Sequence, residues 1–300
     1  WSGGTMSIGG GSLLDELIAG TVGGVVGMAI IYPLDTAKCL AQVENRSALT
    51  VLRARVASHG VASLYRGLAA PATSFGAVFA TSFAANSFAL KHIREYRGLA
   101  PDADLSVGDL TLAGAFAGAV QSPPRQVMER IKTFMQVRIE ESNGKAPYRW
   151  SGECVADLVR REGIMGGLLR GLPSTFLREV PQFAIYYPVY DLTKRALASA
   201  QGVDVHDLGV GGVLISGGVA GVTQWIPSYP ADVIKSKLQS SREGEYRGTW
   251  DCFQRTLKTG GWRALWVGLD VAIVRAFPLH ALIFCGYEVT RKQLDAWRVK

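Results

Sequence analysis

The chain has 300 residues, 48% of them hydrophobic and only 19% charged, with a formal charge of +7. A soluble protein carries nearer a quarter of its residues as charges. Much of the glycine here (35 residues) lies inside apolar runs such as 19–29 and 209–222, which argues against an ordinary water-soluble domain and for membrane helices packed through glycine.

In chain order, six segments approach the ~20 apolar residues that cross a bilayer: 13–41, 68–90, 110–135, 172–192, 209–238 and 269–294. Between the members of each pair lies a shorter segment, at 48–60, 152–163 and 249–261, whose apolar residues recur at helical spacing and which ends in glycine. These segments predict amphipathic helices lying at a membrane surface, each stopped by its glycine. After each comes a three-residue signature: YRG (65–67), LRG (169–171) and WVG (266–268). Polar links at 97–106 and 198–207 separate the units, so the expected repeats are 1–100, 101–202 and 203–300. The fold class that follows is an all-α membrane protein with six transmembrane helices in three pseudo-symmetric repeats. Bases flanking the apolar runs, at 90–97, 159–162 and 290–300, suit anionic phospholipid headgroups rather than nucleic acid, for which no motif is present. Cys39, Cys154, Cys252 and Cys285 and the four histidines show no metal-ligand spacing, so neither a metal nor another cofactor is expected. No nucleophile elbow or phosphate loop suggests an enzyme.

One device recurs about every 100 residues, a domain-repeat spacing. It reads YPLDTAKCLAQ (32–42), QVMERIKTFMQ (126–136) and YPADVIKSKLQ (229–239). Pro33 and Pro230 should kink their helices, since proline lacks an N–H and clashes one turn back; Val127 occupies that place in the middle copy. Each copy then carries an acid and, three residues on, a base: Asp35 and Lys38, Glu129 and Lys132, Asp232 and Lys235. Three residues apart, the two side chains share a helix side and can reach neighbouring helices. A second recurring element, SFGA (74–77), REVP (178–181) and RAFP (275–278), sets Arg178, Glu179 and Arg275 among apolar residues, with Pro181 and Pro278 as further kink positions. Uncompensated charge inside a membrane is costly and marks a functional site.

With its tripartite plan, triplicate P-x-D/E-x-x-K/R pattern and the three signatures after the surface helices, the sequence resembles the mitochondrial carrier family over essentially its whole length. The resemblance implies a multi-pass protein of the inner mitochondrial membrane, with the short helices on the matrix side near cardiolipin. It further implies that the three acid–base sets form a ring of interhelix salt bridges closing the matrix side. YDLTK (190–194) and YEVTR (287–291) resemble the family's cytoplasmic gate, giving Asp191, Lys194, Glu288 and Arg291, with Ser87 where a third acid would stand. Substrate contact is expected at Arg178, Glu179, Arg275 and Trp225, with Ser74 and Ala77 at the second-helix position, two or more helical turns from the gate motifs. An Arg followed by an acid in the fourth long helix resembles the carnitine/acylcarnitine and ornithine branch. A zwitterion fits: an arginine fork for its carboxylate, Glu179 for its nitrogen cation and Trp225 for cation–π attraction. Small, apolar Ala77 leaves room for an acyl chain, so exchange of carnitine-type solutes by alternating access is the leading expectation, with a basic amino acid as the alternative. Val127 and the valine of WVG also allow a carrier fold serving as a structural subunit of a larger inner-membrane complex.

Overall fold

A computed structural model of the protein describes residues 13–298 apart from 101, 102, 104, 139–147, 206 and 243; it leaves out helical side chains at 13–17, 75, 79, 210, 276, 277, 280, 281, 284, 288, 291, 292 and 295–298. Ten α-helices organise the described residues, and no strand occurs among them. The first repeat contributes α1 (Leu13–Glu44), α2 (Ala48–His59) and α3 (Ala69–Arg97); the second α4 (Val107–Val137), α5 (Ser151–Gly163) and α6 (Leu172–Gln201). The third contributes α7 (Val210–Thr223), α8 (Trp225–Ser240), α9 (Thr249–Gly260) and α10 (Leu269–Arg298).

Local chemistry sets the ends. The Ser47 hydroxyl caps α2 by accepting from the Thr50 N–H at 3.3 Å, and Ser106 with Asp109 forms a full capping box on α4. Each short helix is followed by one helical turn and then a glycine with positive φ, at Gly67 (81°), Gly171 (91°) and Gly268 (83°). This left-handed backbone is strained for any residue with a Cβ. At two of the turns space is short as well: a Cβ on Gly67 would lie 2.8 Å from the Lys132 carbonyl oxygen, and one on Gly268 3.1 Å from the Tyr229 hydroxyl. Glycine here lets each repeat press its turn against a neighbouring long helix.

The third repeat departs from the expected single helix over 209–238. It breaks at Gln224 into α7 and α8. Pro227 has no N–H for the Thr223 carbonyl, and at the next carbonyl, that of Gln224, the Ser228 hydroxyl donates at 2.6 Å. The break therefore sits at Pro227's unmade bond rather than at Pro230. α1 runs on as one helix through Pro33, and α6 and α10 through Pro181 and Pro278.

α3 packs on α4, α4 on α6, and α6 on α7 and α8, while α10 returns to pack along α1, closing the repeats into a ring. Close approach depends on glycine: a Cβ on Gly23 would lie 2.5 Å from the Ile283 carbonyl oxygen, and one on Gly118 2.6 Å from that of Glu179. Exposed apolar side chains line the outer faces at helical spacing, as Ile18, Val22, Val26 and Ile30 on α1 and Leu112, Phe116 and Val120 on α4. By length and apolarity alone, only Ile18–Glu44 passes as an unbroken membrane span among the described residues. The other long helices contain charges or prolines, and much of that charge is turned to the interior.

Candidate functional site

The three motif copies meet at one end of the ring. Lys38 Nζ reaches Asp232 Oδ2 at 2.6 Å, Lys132 Nζ reaches Asp35 Oδ2 at 2.9 Å, and Lys235 pairs with Glu129. Each base thus finds its acid on a different repeat, giving a closed cycle: α1 to α8, α8 to α4, α4 to α1. Within one motif the two charges do not pair with each other. The glutamine that ends each motif braces the cycle. Gln42 Nε2 donates to Asp232 at 2.8 Å, Gln136 Nε2 to the Thr36 hydroxyl at 3.0 Å, and Gln239 Nε2 to Gln126 Oε1 at 2.8 Å.

A second threefold set fastens the turns. The Tyr32 hydroxyl donates to the Arg66 carbonyl and the Tyr229 hydroxyl to the Val267 carbonyl, both at 3.0 Å; Gln126 Nε2 donates to the Arg170 carbonyl at 2.5 Å. Gln126 therefore does the work of the tyrosines, and Val267 serves as well as an arginine because the bond is made by its backbone. Arg130 is fully buried and ties α4 to the carbonyls of Gly167 (2.9 Å) and Ser241 (2.8 Å). Sequence reasoning missed it; its only signal was a third charge inside the middle motif.

The residues expected at the substrate lie against this cycle, not two turns away. Arg275 Nη1 is 2.6 Å from Asp35 Oδ1. Arg178 Nη1 donates to Gln182 at 2.9 Å, its Nη2 lies 3.3 Å from Glu129 and its Nε 3.6 Å from Asp232. The expected separation fails because long arginine side chains span about a helical turn and every motif acid has spare oxygen lone pairs. Glu179 is fully buried between Gln121 (2.8 Å), Arg125 (3.2 Å) and Arg178. The face of Trp225 is occupied by the protein's own cations, Lys38 Nζ at 4.3 Å and Arg275 at 5.7 Å from the ring centroid. In this conformation neither group is vacant for a solute. Ser74, half-buried, and Ala77, exposed, stand on α3 outside the network.

At the other end of the bundle, Asp191 bonds Arg195 of its own helix at 2.6 Å, while Lys194 lies over the Tyr190 ring at 5.7 Å. Asp191, expected in the gate, is thus held within its own helix by an i,i+4 pair, the spacing at which helical side chains meet most easily. Side chains of Glu288 and Arg291 lie outside the described residues, and Ser87 is exposed.

The inner cluster holds six bases (Lys38, Arg125, Lys132, Arg178, Lys235, Arg275) and four acids (Asp35, Glu129, Glu179, Asp232). Atoms without a hydrogen-bond partner include the Nε of both Arg178 and Arg275 and one carboxylate oxygen each of Glu129 and Glu179. Such a centre, with more bases than acids and unpartnered atoms of both signs, can exchange ion pairs with a charged solute.

A ring of three helical repeats, fastened at one end by a cycle of interhelix ion pairs around an inner cluster of charge, defines a membrane carrier. The sequence pattern described as "Mitochondrial carrier protein" matches residues 10–97, 103–201 and 206–296, and the chain belongs to the mitochondrial carrier family. It is 36% identical to the mitochondrial basic amino acids transporter of Bos taurus, over 91% of this chain and 90% of that one. It is 35% identical to the mitochondrial arginine transporter BAC2 of Arabidopsis thaliana (93% and 91%) and 32% identical to the mitochondrial carnitine/acylcarnitine carrier protein of Rattus norvegicus (95% and 95%). The chain is thus a transporter and not an enzyme, and a multi-pass protein of the mitochondrial inner membrane.

Proposed function

We propose that the protein exchanges a carnitine-type zwitterion across the membrane by alternating access. The reading has six spans, two from each of three repeats divided near residues 100 and 203. The short helices lie on the matrix side against anionic phospholipid, cardiolipin in that membrane. The observation that carries the substrate reading is the inner cluster's excess of bases, with Arg275 held by Asp35 and its Nε unbonded. A solute carboxylate that takes the Arg275 fork relieves part of that excess and displaces Asp35. Asp35, freed, then faces the solute's cation and loosens its hold on Lys132. Binding and opening of the ring become one exchange of ion pairs. That suits a gate, because buried pairs gain little net stability once their desolvation is counted. The intact cycle also favours a moving transporter over a purely structural subunit of a larger complex.

A second reading, transport of a basic amino acid, is favoured by the 36% and 35% identities to transporters named for such solutes. A net cation would add to the cluster's positive excess, so the zwitterion is the better electrostatic fit. The deciding experiment is reconstitution in liposomes loaded with unlabelled solute, followed by uptake of radiolabelled carnitine, an acylcarnitine, arginine and ornithine. Carnitine exchange at the highest rate is expected, and it should vanish in Arg275→Ala with the fold intact. A preference for arginine moves the assignment to the second reading; folded protein that takes up none of the four sinks both.

A further inference from the structure

Arg125 has no counterpart in the other repeats. Four residues before the motif acid, α1 carries Ile31 and α8 carries Ser228, while α4 carries a guanidinium. It points inward: nine residues from Phe116, it stands about 180° round the helix from that exposed outer side chain. Its Nε lies 3.2 Å from Glu179 Oε1 and 3.4 Å from Glu129 Oε1. Glu179 itself is completely covered, whereas the Arg125 side chain keeps 21% of its surface exposed. Gln121 holds the other Glu179 oxygen at 2.8 Å. The acid that would receive a solute's cation is therefore already matched in charge by Arg125 and Arg178, although its Oε1 accepts no hydrogen bond, and what this wall presents is the guanidinium.

We infer that Arg125 is a built-in counter-cation for Glu179 and sets the carrier's selectivity by disfavouring solutes with a second positive charge. The inference rests on the zwitterion reading above. A solute with one cation uses Asp35, released from Arg275. One with two cations needs another acid, and Glu179 is reached only by displacing Arg125, whose charge then stands opposed to the incoming one. Arg178 and Gln121 still hold Glu179 when Arg125 is removed, so the arrangement predicts a change of preference more than a loss of fold.

The test compares wild type, Arg125→Ala, Arg125→Lys and the double variant Arg125→Ala/Glu179→Gln in liposomes. The ratio of ornithine to carnitine uptake should rise at least tenfold in R125A, stay within threefold of wild type in R125K, and fall back in the double variant. A ratio unchanged within twofold in R125A, or a gain that survives the loss of Glu179, overturns the assignment; a merely structural role would lower both uptakes together. Agmatine, a dication without a carboxylate, supplies a readout independent of transport. It should raise the unfolding midpoint of purified R125A and leave wild type and the double variant unmoved, and a shift that is the same in all three counts against the inference. Arg125→Gln takes the place of R125A in both measurements should the alanine variant not fold. The wild-type uptake panel alone decides the zwitterion reading, so a wild type that prefers arginine removes that reading while the variant ratios still judge Arg125.

Discussion

The two ends of the bundle hold their charges in opposite ways. At the motif end each of the three motif acids takes a base from another repeat, although Glu129 also meets Arg125 of its own helix, and the Asp232 side chain is only 5% exposed. At the far end Asp191 takes its base from its own helix and is 30% exposed. An ion pair between helices fastens the bundle, whereas one within a helix fastens only the helix. Among the described residues, ion pairs between helices fasten the motif end, while Asp191 at the other end pairs within α6. Equivalent residue types thus do different work according to where the partner stands, and substitutions can ask whether that difference is energetic or only geometric.

The largest effect is expected from Asp232→Ala. Asp232 accepts from Lys38 at 2.6 Å and Gln42 at 2.8 Å and faces Arg178. Its loss leaves buried cations without a counter-charge, a change that costs about 3–5 kcal/mol when one partner of a buried pair is removed. A large fall in the thermal unfolding midpoint of the purified protein and loss of uptake should follow. Exchanging the charges, with Lys38→Asp and Asp232→Lys together, should recover part of the stability, because the pair is reversed and kept. A midpoint no lower than that of wild type would show that the ring is not what holds this end shut. Gln42→Ala removes one hydrogen bond to the same carboxylate while leaving Lys38 in place, so the expected loss is about 1.5–3 kcal/mol, the worth of a bond to a charged group. The same midpoint measurement checks it, and a loss equal to that of Asp232→Ala would assign the stability to the brace instead of the ion pair.

Much of this was legible in the sequence, and what was legible was local. Most helix spans, the glycines after α2, α5 and α9, and the three acid–base sets follow from periodicity, stop signals and spacing, all of which operate within a few residues, while their joining into a ring came from the family resemblance. The ring's members were readable but not its pairings, because Lys38 meets Asp232 across 194 positions of chain. Arg125 and Gln121 escaped for the same reason: their meaning comes from Glu179 on another helix. Gln126 stands where the other two motif copies carry a tyrosine. Its role as a substitute for Tyr32 and Tyr229 appears only once the Arg170 carbonyl is seen beside it. The expected distance between substrate residues and gate failed because helical turns count backbone rise and ignore the reach of arginine.

The smallest stability effect is expected from Asp191→Ala, and it bears most directly on the contrast between the ends. The Asp191–Arg195 pair is an i,i+4 bridge with both side chains about a third exposed. Such pairs contribute about 0.3–0.5 kcal/mol, so the unfolding midpoint should barely move. Transport should nonetheless slow several-fold, since the resemblance to the carrier family puts Asp191 in the gate that closes the far end. Stability and uptake would then separate at Asp191 while they fall together at Asp232. If Asp191→Ala lowers the midpoint as far as Asp232→Ala does, the far end is already fastened in this conformation and the contrast fails. If it changes neither quantity, Asp191 belongs to the helix surface, and closure of that end must rest on other groups.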